Sequence, residues 1–580
     1  MSTFNEINHF RSETVNSATS FGSTVHESGT WSSNMGTLRT MPPELTMQGS
    51  PFGMLTSPTS ENGNVSEVPR PVSGTLPPQN LHRTLVLCFD GTGDQFDSDN
   101  SNIVELFSML KKDDPDKQLV YYQAGIGTYT PPEIATPLVS KISKTLDMMV
   151  AWNIDAHIMS GYEFLMQNYR AGDKICIFGF SRGAYTARCL AGMIHKVGLL
   201  PTCNHQQVPF AYKMYTRCDH EGWHQSNAFK KAFAIDVDIE FLGVWETVNS
   251  VGLIPRHLPF TTSNSVVKTF RHALALDERR AKFKANHWNR PTEEEINLSL
   301  SDRQKRALAK KEKEETNGAH KHSKERSKET AKDIERMENK HSKRLFETDV
   351  EEVWFSGCHC DIGGGSVTNG EIPCLARIPL RWMIRECFKA KTGILFYVDG
   401  IKGINLDPAC LYPEVLSRPP ALPLNTFAPG ESVIQRIPKK VSAAPECHDD
   451  DDDDAQYLPA ELTQTEEEAD LKDALAPIYD QLSLAPHWWV LELLPIRQRY
   501  QDTLKKREGE TDAQAELENW VWHEKIRCNL GEGRHIPKQR SKGVKIHRTV
   551  KTRMEAAYDN GQQYKPAVNN LALDCVTWVD

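Results

Sequence analysis

Gly179-Phe180-Ser181-Arg182-Gly183 has the form G-x-S-x-G. A serine hydroxyl is a poor nucleophile until a nearby base takes its proton, and the base in turn needs a carboxylate to orient it. The pattern is short, so its setting matters. The buried-strand pattern KICIF, Lys174–Phe178, precedes it, and a helical pattern, Arg182–Val197, follows directly. A serine at such a sharp strand-to-helix turn is presented at the end of a sheet. Glycine on either side permits close backbone approach where a Cβ would clash. The N-terminus of the helix favours developing negative charge.

A base and its carboxylate are expected later in the chain, in the order Ser, acid, His, each just past a strand. Glu246 follows the apolar run Ile239–Val244, and His359 follows EVWF, Glu352–Phe355. Asp361 and the glycines Gly363, Gly364 and Gly365 come next and allow a tight loop. Asp361 or Asp277 could replace Glu246, and His547 is late enough to replace His359, although its basic surroundings suggest a surface position. An oxyanion needs two backbone N–H groups. One is expected from Arg182, and the other from Gly91 or Thr92 in the glycine-containing loop after the first strand. Asp90 would orient that loop or act as a turn residue. A dinucleotide phosphate loop is the rival reading, but the full G-x-G-x-x-G pattern is missing.

These residues need a frame. Strands are expected at Thr84–Phe89, Leu119–Gln123, Lys174–Phe178, Ile239–Val244 and Glu352–Phe355. Helical stretches lie between them: Asn102–Lys111, capped by Asn100 or Ser101, about Leu138 to Tyr169, and Arg182–Val197. Short apolar runs alternating with helices predict an α/β fold, a mostly parallel sheet covered on both faces. Residues 1–80 are rich in Ser, Thr, Asn, Gly and Pro and read as a disordered tail. Residues 299–344 read as a charged surface insertion, and Asp449–Asp454 as a solvated acidic loop lacking the spaced ligands of a calcium site. Residues 391–580 read as an irregular extension packed on the catalytic domain, 82–390. Within it, PHWWVLELLP (Pro486–Pro495) reads as packing rather than a lipid anchor.

The net charge of -9 argues against a nucleic-acid-binding surface over the whole molecule. Thirteen scattered cysteines fit reduced thiols in a cytoplasmic protein, and Cys358-His359-Cys360 does not match zinc-ligand spacing, so no metal and no cofactor is expected. No secretory signal pattern is present, nor any apolar run of roughly 20 residues, so lipid contact would be peripheral.

Six segments in order, LVLCFDGTGDQF, YYQAGIGT, GFSRGAYTAR, FLGVWETVNSVG, RHALALDERRAKF and VWFSGCHCDIGGG, resemble the α/β-hydrolase domain of type VI secretion phospholipase effectors and their fungal relatives. The resemblance covers roughly residues 82–390. It implies Ser181, Glu246 and His359 as a catalytic triad, with Glu246 standing where the family usually has Asp. It implies hydrolysis of a small-molecule or lipid ester, phospholipids or lysophospholipids included. A hydrolase-fold scaffold without catalysis, or thioester or amide hydrolysis on the same residues, are the alternatives.

Overall fold

In TLVLCF every residue is apolar apart from its first threonine, as a strand with both faces covered requires. In the computed structural model this run is β1, Thr84–Phe89, and all six residues are buried. Leu85, Leu87 and Phe89 join one core, while Val86 and Cys88 join another on the opposite face. The description covers residues 74–125, 154–248, 258–288, 348–437, 464–501 and 522–580, apart from residues 79–80, 93, 218, 429 and 431; residues 462 and 511 are also described. The expected tail, the charged insertion and the acidic loop lie outside it, except for residues 74–78.

The other strands of the large sheet are β2 (Gln118–Gln123), β3 (Lys174–Phe180), β4 (Ile239–Trp245), β5 (Val267–Ala275), β6 (Asp349–Phe355), β7 (Val544–His547) and β8 (Val576–Val579). They lie in the order β8-β7-β6-β5-β4-β3-β1-β2. Every pairing is parallel. The helices used below are α1 (Asn102–Met109), α2 (Ile154–Asn168), α3 (Ser181–Val197), α4 (His359–Gly363), α5 (Arg377–Lys389), α6 (Glu466–Ala474) and α7 (Trp489–Leu493). Ser101 caps α1, its Oγ accepting from the N–H groups of Ile103 and Val104. Residues of α2 and α3 cover one face of the sheet, and residues of α1 and α5 cover the other. The α/β reading therefore holds.

Two differences from the sequence reading have physical causes. β5 was not expected as a strand, because VKTFRHALA carries Arg271 and His272 in a buried run. Both find polar partners: Arg271 pairs with Glu386 at 2.5 Å and Asp349 at 2.6 Å, and His272, whose pKa burial lowers to about 4, is hydrogen-bonded through Nδ1 to Glu352 at 2.9 Å. The second difference is in the extension, which supplies β7 and β8 to the same sheet. It is further bound through α6, where Asp470 and Asp473 pair with buried Arg381 of α5 at 2.7 and 2.6 Å. The described residues belong to one compact unit.

Candidate active site

The polar residues singled out from the sequence collect where the parallel strands end. Asp90 follows β1, Ser181 follows β3, Glu246 follows β4, and His359 lies on the turn after β6. This is the edge of an open parallel sheet where ligands bind as a rule.

Ser181 opens α3 in the left-handed backbone region, with φ of 56°. A non-glycine residue pays strain for that conformation, and the surroundings must hold it. The flanking glycines show how tight the turn is. A Cβ on Gly179 would come within 2.6 Å of the Ala184 Cα, and one on Gly183 within 2.2 Å of the Phe89 carbonyl oxygen. Only glycine fits at either place. Ser181 is 5% exposed.

His359 Nε2 lies 2.8 Å from Ser181 Oγ, and its Nδ1 lies 2.9 Å from Glu246 Oε2. The imidazole packs against two rings, Phe180 at a ring separation of 4.9 Å and Phe283, edge-on, at 4.7 Å. The backbone N–H of His359 donates to Glu278. The glycine run fits this loop onto the nucleophile strand and the start of α1: a Cβ on Gly363 would lie 1.9 Å from the Phe180 ring, and one on Gly364 2.5 Å from the Asn102 nitrogen. Burial pushes the His359 pKa below its ordinary value, and the neighbouring Glu246 only partly offsets this.

Glu246 is fully buried and also has a positive φ, 53°. Burial alone would raise its pKa. Arg534 and the hydrogen bonds from His359 and Arg534 outweigh that and hold the carboxyl far below the usual range. The Ala275 N–H donates to its Oε1 at 2.6 Å. Glu246 is thus a buried, ionised acceptor and not a surface residue at a strand end.

Asp361 and Asp277 are engaged elsewhere. Asp361 caps α4, accepting from the N–H groups of Cys358 and Tyr479 and from Ser366 Oγ, and burial raises its pKa to about 6. Asp277 accepts from the N–H groups of Gly357 and Ala567 and from the Tyr564 hydroxyl. Both brace the loop that carries His359. His547 is buried, contrary to the surface reading. It is hydrogen-bonded to Thr549 and stacked on Phe355. The basic residues around it misled: Lys545 and Lys551 are exposed, while His547 and Arg553 in the same segment are buried.

Asp90 is a hub of the first loop. Its Oδ1 accepts from Ser101 Oγ at 2.6 Å and from the Gly91 N–H at 2.8 Å, and its Oδ2 from Tyr122 at 2.8 Å. The Gly91 N–H is therefore committed to Asp90 and corrects the expectation that it faces an oxyanion. Arg182 occupies the first turn of α3, where a backbone N–H has no intrahelical acceptor. Its half-buried guanidinium lies near Asp94, and desolvation lowers its pKa to about 10.

Arg534 was missed. Its Nη1 and Nη2 each lie 2.7 Å from one oxygen of Glu246. It comes 288 residues later than its partner, in the segment LGEGRHIP, and no motif or periodicity marks it.

The family profile described as T6SS, phospholipase effector Tle1-like, catalytic domain, matches residues 83–386. An uncharacterized protein of Saccharomyces cerevisiae, YEL023C, is 28% identical over 582 residues, covering 83% of this chain and 81% of that protein. Two solved structures align at 17% identity: an uncharacterized protein from Pseudomonas aeruginosa and a Tle1 effector bound to the VgrG spike of the type 6 secretion system. They cover 54% and 51% of this chain, with TM-scores of 0.27 and 0.25, and the chain spans about half their length, 46% and 53%. With more than half of its 580 residues inside the matched region, the chain belongs to the Tle1-like phospholipase effector family through that catalytic domain.

Proposed function

We propose that this chain is a serine hydrolase of carboxylic esters, acting on lipid esters of the phospholipid or lysophospholipid class. The observation that carries this reading is the continuous relay from Ser181 Oγ through His359 to Glu246, at 2.8 and 2.9 Å. His359 takes the hydroxyl proton as Ser181 attacks the acyl carbonyl, then returns it to the leaving alcohol. Glu246 keeps the imidazole in the right tautomer and stabilises the imidazolium. The backbone N–H groups of Arg182 and Thr92 receive the oxyanion. Water then hydrolyses the acyl-enzyme by the same proton path. The residues supply acid, base and nucleophile themselves, so the scheme needs no metal or cofactor.

A lipid substrate is supported by the surface beside the site. Trp488 and Leu491 pack inward in one cluster with Phe283, which touches the His359 ring. On the outer side of α7 and the adjoining chain, Val490, Leu493, Ile526 and Leu530 are 60% exposed or more. Exposed apolar residues gathered next to a reacting pair suit peripheral contact with a lipid surface.

The test is covalent labelling with a fluorophosphonate probe, wild type against Ser181→Ala. Labelling of wild type alone supports an activated Ser181. Labelling of neither, or of both equally, overturns the reading. A panel of short and long acyl esters and phospholipid vesicles then fixes the substrate class.

A further inference from the structure

The triad carboxylate has a partner from outside the matched catalytic domain. Arg534 reaches Glu246 from the C-terminal extension, and both side chains are buried, 2% and 0% exposed. All five guanidinium N–H groups are used. Nε–H donates to the Phe283 carbonyl at 3.1 Å; Nη1 donates to Glu246 Oε1 at 2.7 Å and the Ala275 carbonyl at 3.1 Å; Nη2 donates to Glu246 Oε2 at 2.7 Å and the Phe283 carbonyl at 2.6 Å. A planar fork with every donor satisfied has one orientation, and it fixes the carboxylate plane.

The chain is built to deliver this residue. A Cβ on Gly533 would lie 1.9 Å from the Ala567 carbonyl oxygen, so the segment passes backbone against backbone. The Asn569 N–H donates to the Arg534 carbonyl, and Ile536 is bonded in both directions to Asn570.

We propose that Arg534 is a positioning residue of the active site, a clamp from the C-terminal extension that sets the orientation and charge of Glu246 and, through it, the basicity of His359. The proposal rests on the reading of Ser181, His359 and Glu246 given above. Glu246 Oε2 is shared between Arg534 and His359 Nδ1, so the cation draws charge from the oxygen that faces the imidazole. The other ionisable groups here are Glu278 and Arg280, paired at 2.9 Å, with Lys284 beside Arg534 and the Cys358 thiol, kept neutral by burial, near both Arg534 and Glu278. None of these groups is hydrogen-bonded to Glu246 among the described contacts.

Loss of Arg534 has one sign whichever state Glu246 adopts. If Glu246 stays ionised, His359 feels the full carboxylate and becomes more basic. If the buried Glu246 takes up a proton, activity returns only when it ionises at higher pH. In both cases the acid limb of the pH profile moves up.

The experiment is the rate of fluorophosphonate labelling against pH for the full chain. For Arg534→Met the acid limb is expected to rise by about one pH unit or more, a tenfold larger loss at pH 6 than at pH 8.5 for each unit. Arg534→Lys should recover part of the shift, since it keeps the charge but not the fork. Arg534→Gln serves the same purpose should Arg534→Met fail to fold. The double variant Glu246→Gln with Arg534→Met strands no buried charge, and Arg534→Met should add little to the loss caused by Glu246→Gln. Folded Arg534 variants with an unmoved acid limb, or additive losses in the double variant, overturn the proposal. A wild-type chain that fails to label at Ser181 overturns the underlying reading instead, so the two failures are distinguishable.

Discussion

At the scale of single residues, the proposed chemistry depends on the resting charge states of His359 and Glu246. Ser181→Ala should remove ester hydrolysis by at least about 10³-fold, because the base and oxyanion donors that remain have no nucleophile to serve; steady-state assay of the best ester from the panel checks this. The pH dependence follows from burial. His359 must be neutral to accept a proton, and its pKa lies below the ordinary 6.5. Glu246 is held far lower and stays ionised across that range. The acid limb of kcat/KM should therefore fall below pH 6.5, with full activity on the alkaline side. A limb above 7 would mean that His359 is not the titrating base.

At the scale of elements, two turns do the positioning, and both depend on glycine for space. Gly183→Val should destabilise the chain by about 1–3 kcal/mol or more, because its Cβ meets backbone that cannot swing aside; the thermal midpoint reports it. Gly363→Ala is expected to cost both stability and catalysis. Its Cβ would push into the Phe180 ring, which packs on His359, and a displacement of about 1 Å of the imidazole can cost about 10²-fold in rate. Labelling rate and thermal midpoint measured on the same sample separate the two effects.

At the scale of the whole molecule, the extension and the matched domain share one core. β7 pairs with β6, and Leu274, Trp354, Ile546 and Val550 lie in a common cluster. A fragment ending at residue 390 is therefore expected to be insoluble or unlabelled by the probe. It would expose the long edge of a parallel sheet and strand Glu246 without Arg534. A soluble, labelled fragment would contradict this. Asp277→Ala should lower stability by about 2–4 kcal/mol, since it strips the acceptor from the N–H groups of Gly357 and Ala567 and from the Tyr564 hydroxyl at once. Chemical denaturation measures it.

The local chemistry was legible in the chain alone. β1, β3 and β4 are apolar runs, the Ser181 turn has its glycines at fixed spacing, and Glu246 and His359 each stand directly after a strand. Such features are set by a few neighbouring residues, so a linear reading reaches them. Others depend on partners remote in sequence. β5 is a strand only because distant acids neutralise Arg271. The extension belongs to the sheet only because short β7 and β8 find an edge to pair with. Arg534 arrived at Glu246 through a contact that no spacing rule encodes. Burial decided these placements: a charge taken from water must meet its opposite, and only the folded chain determines which residue that is.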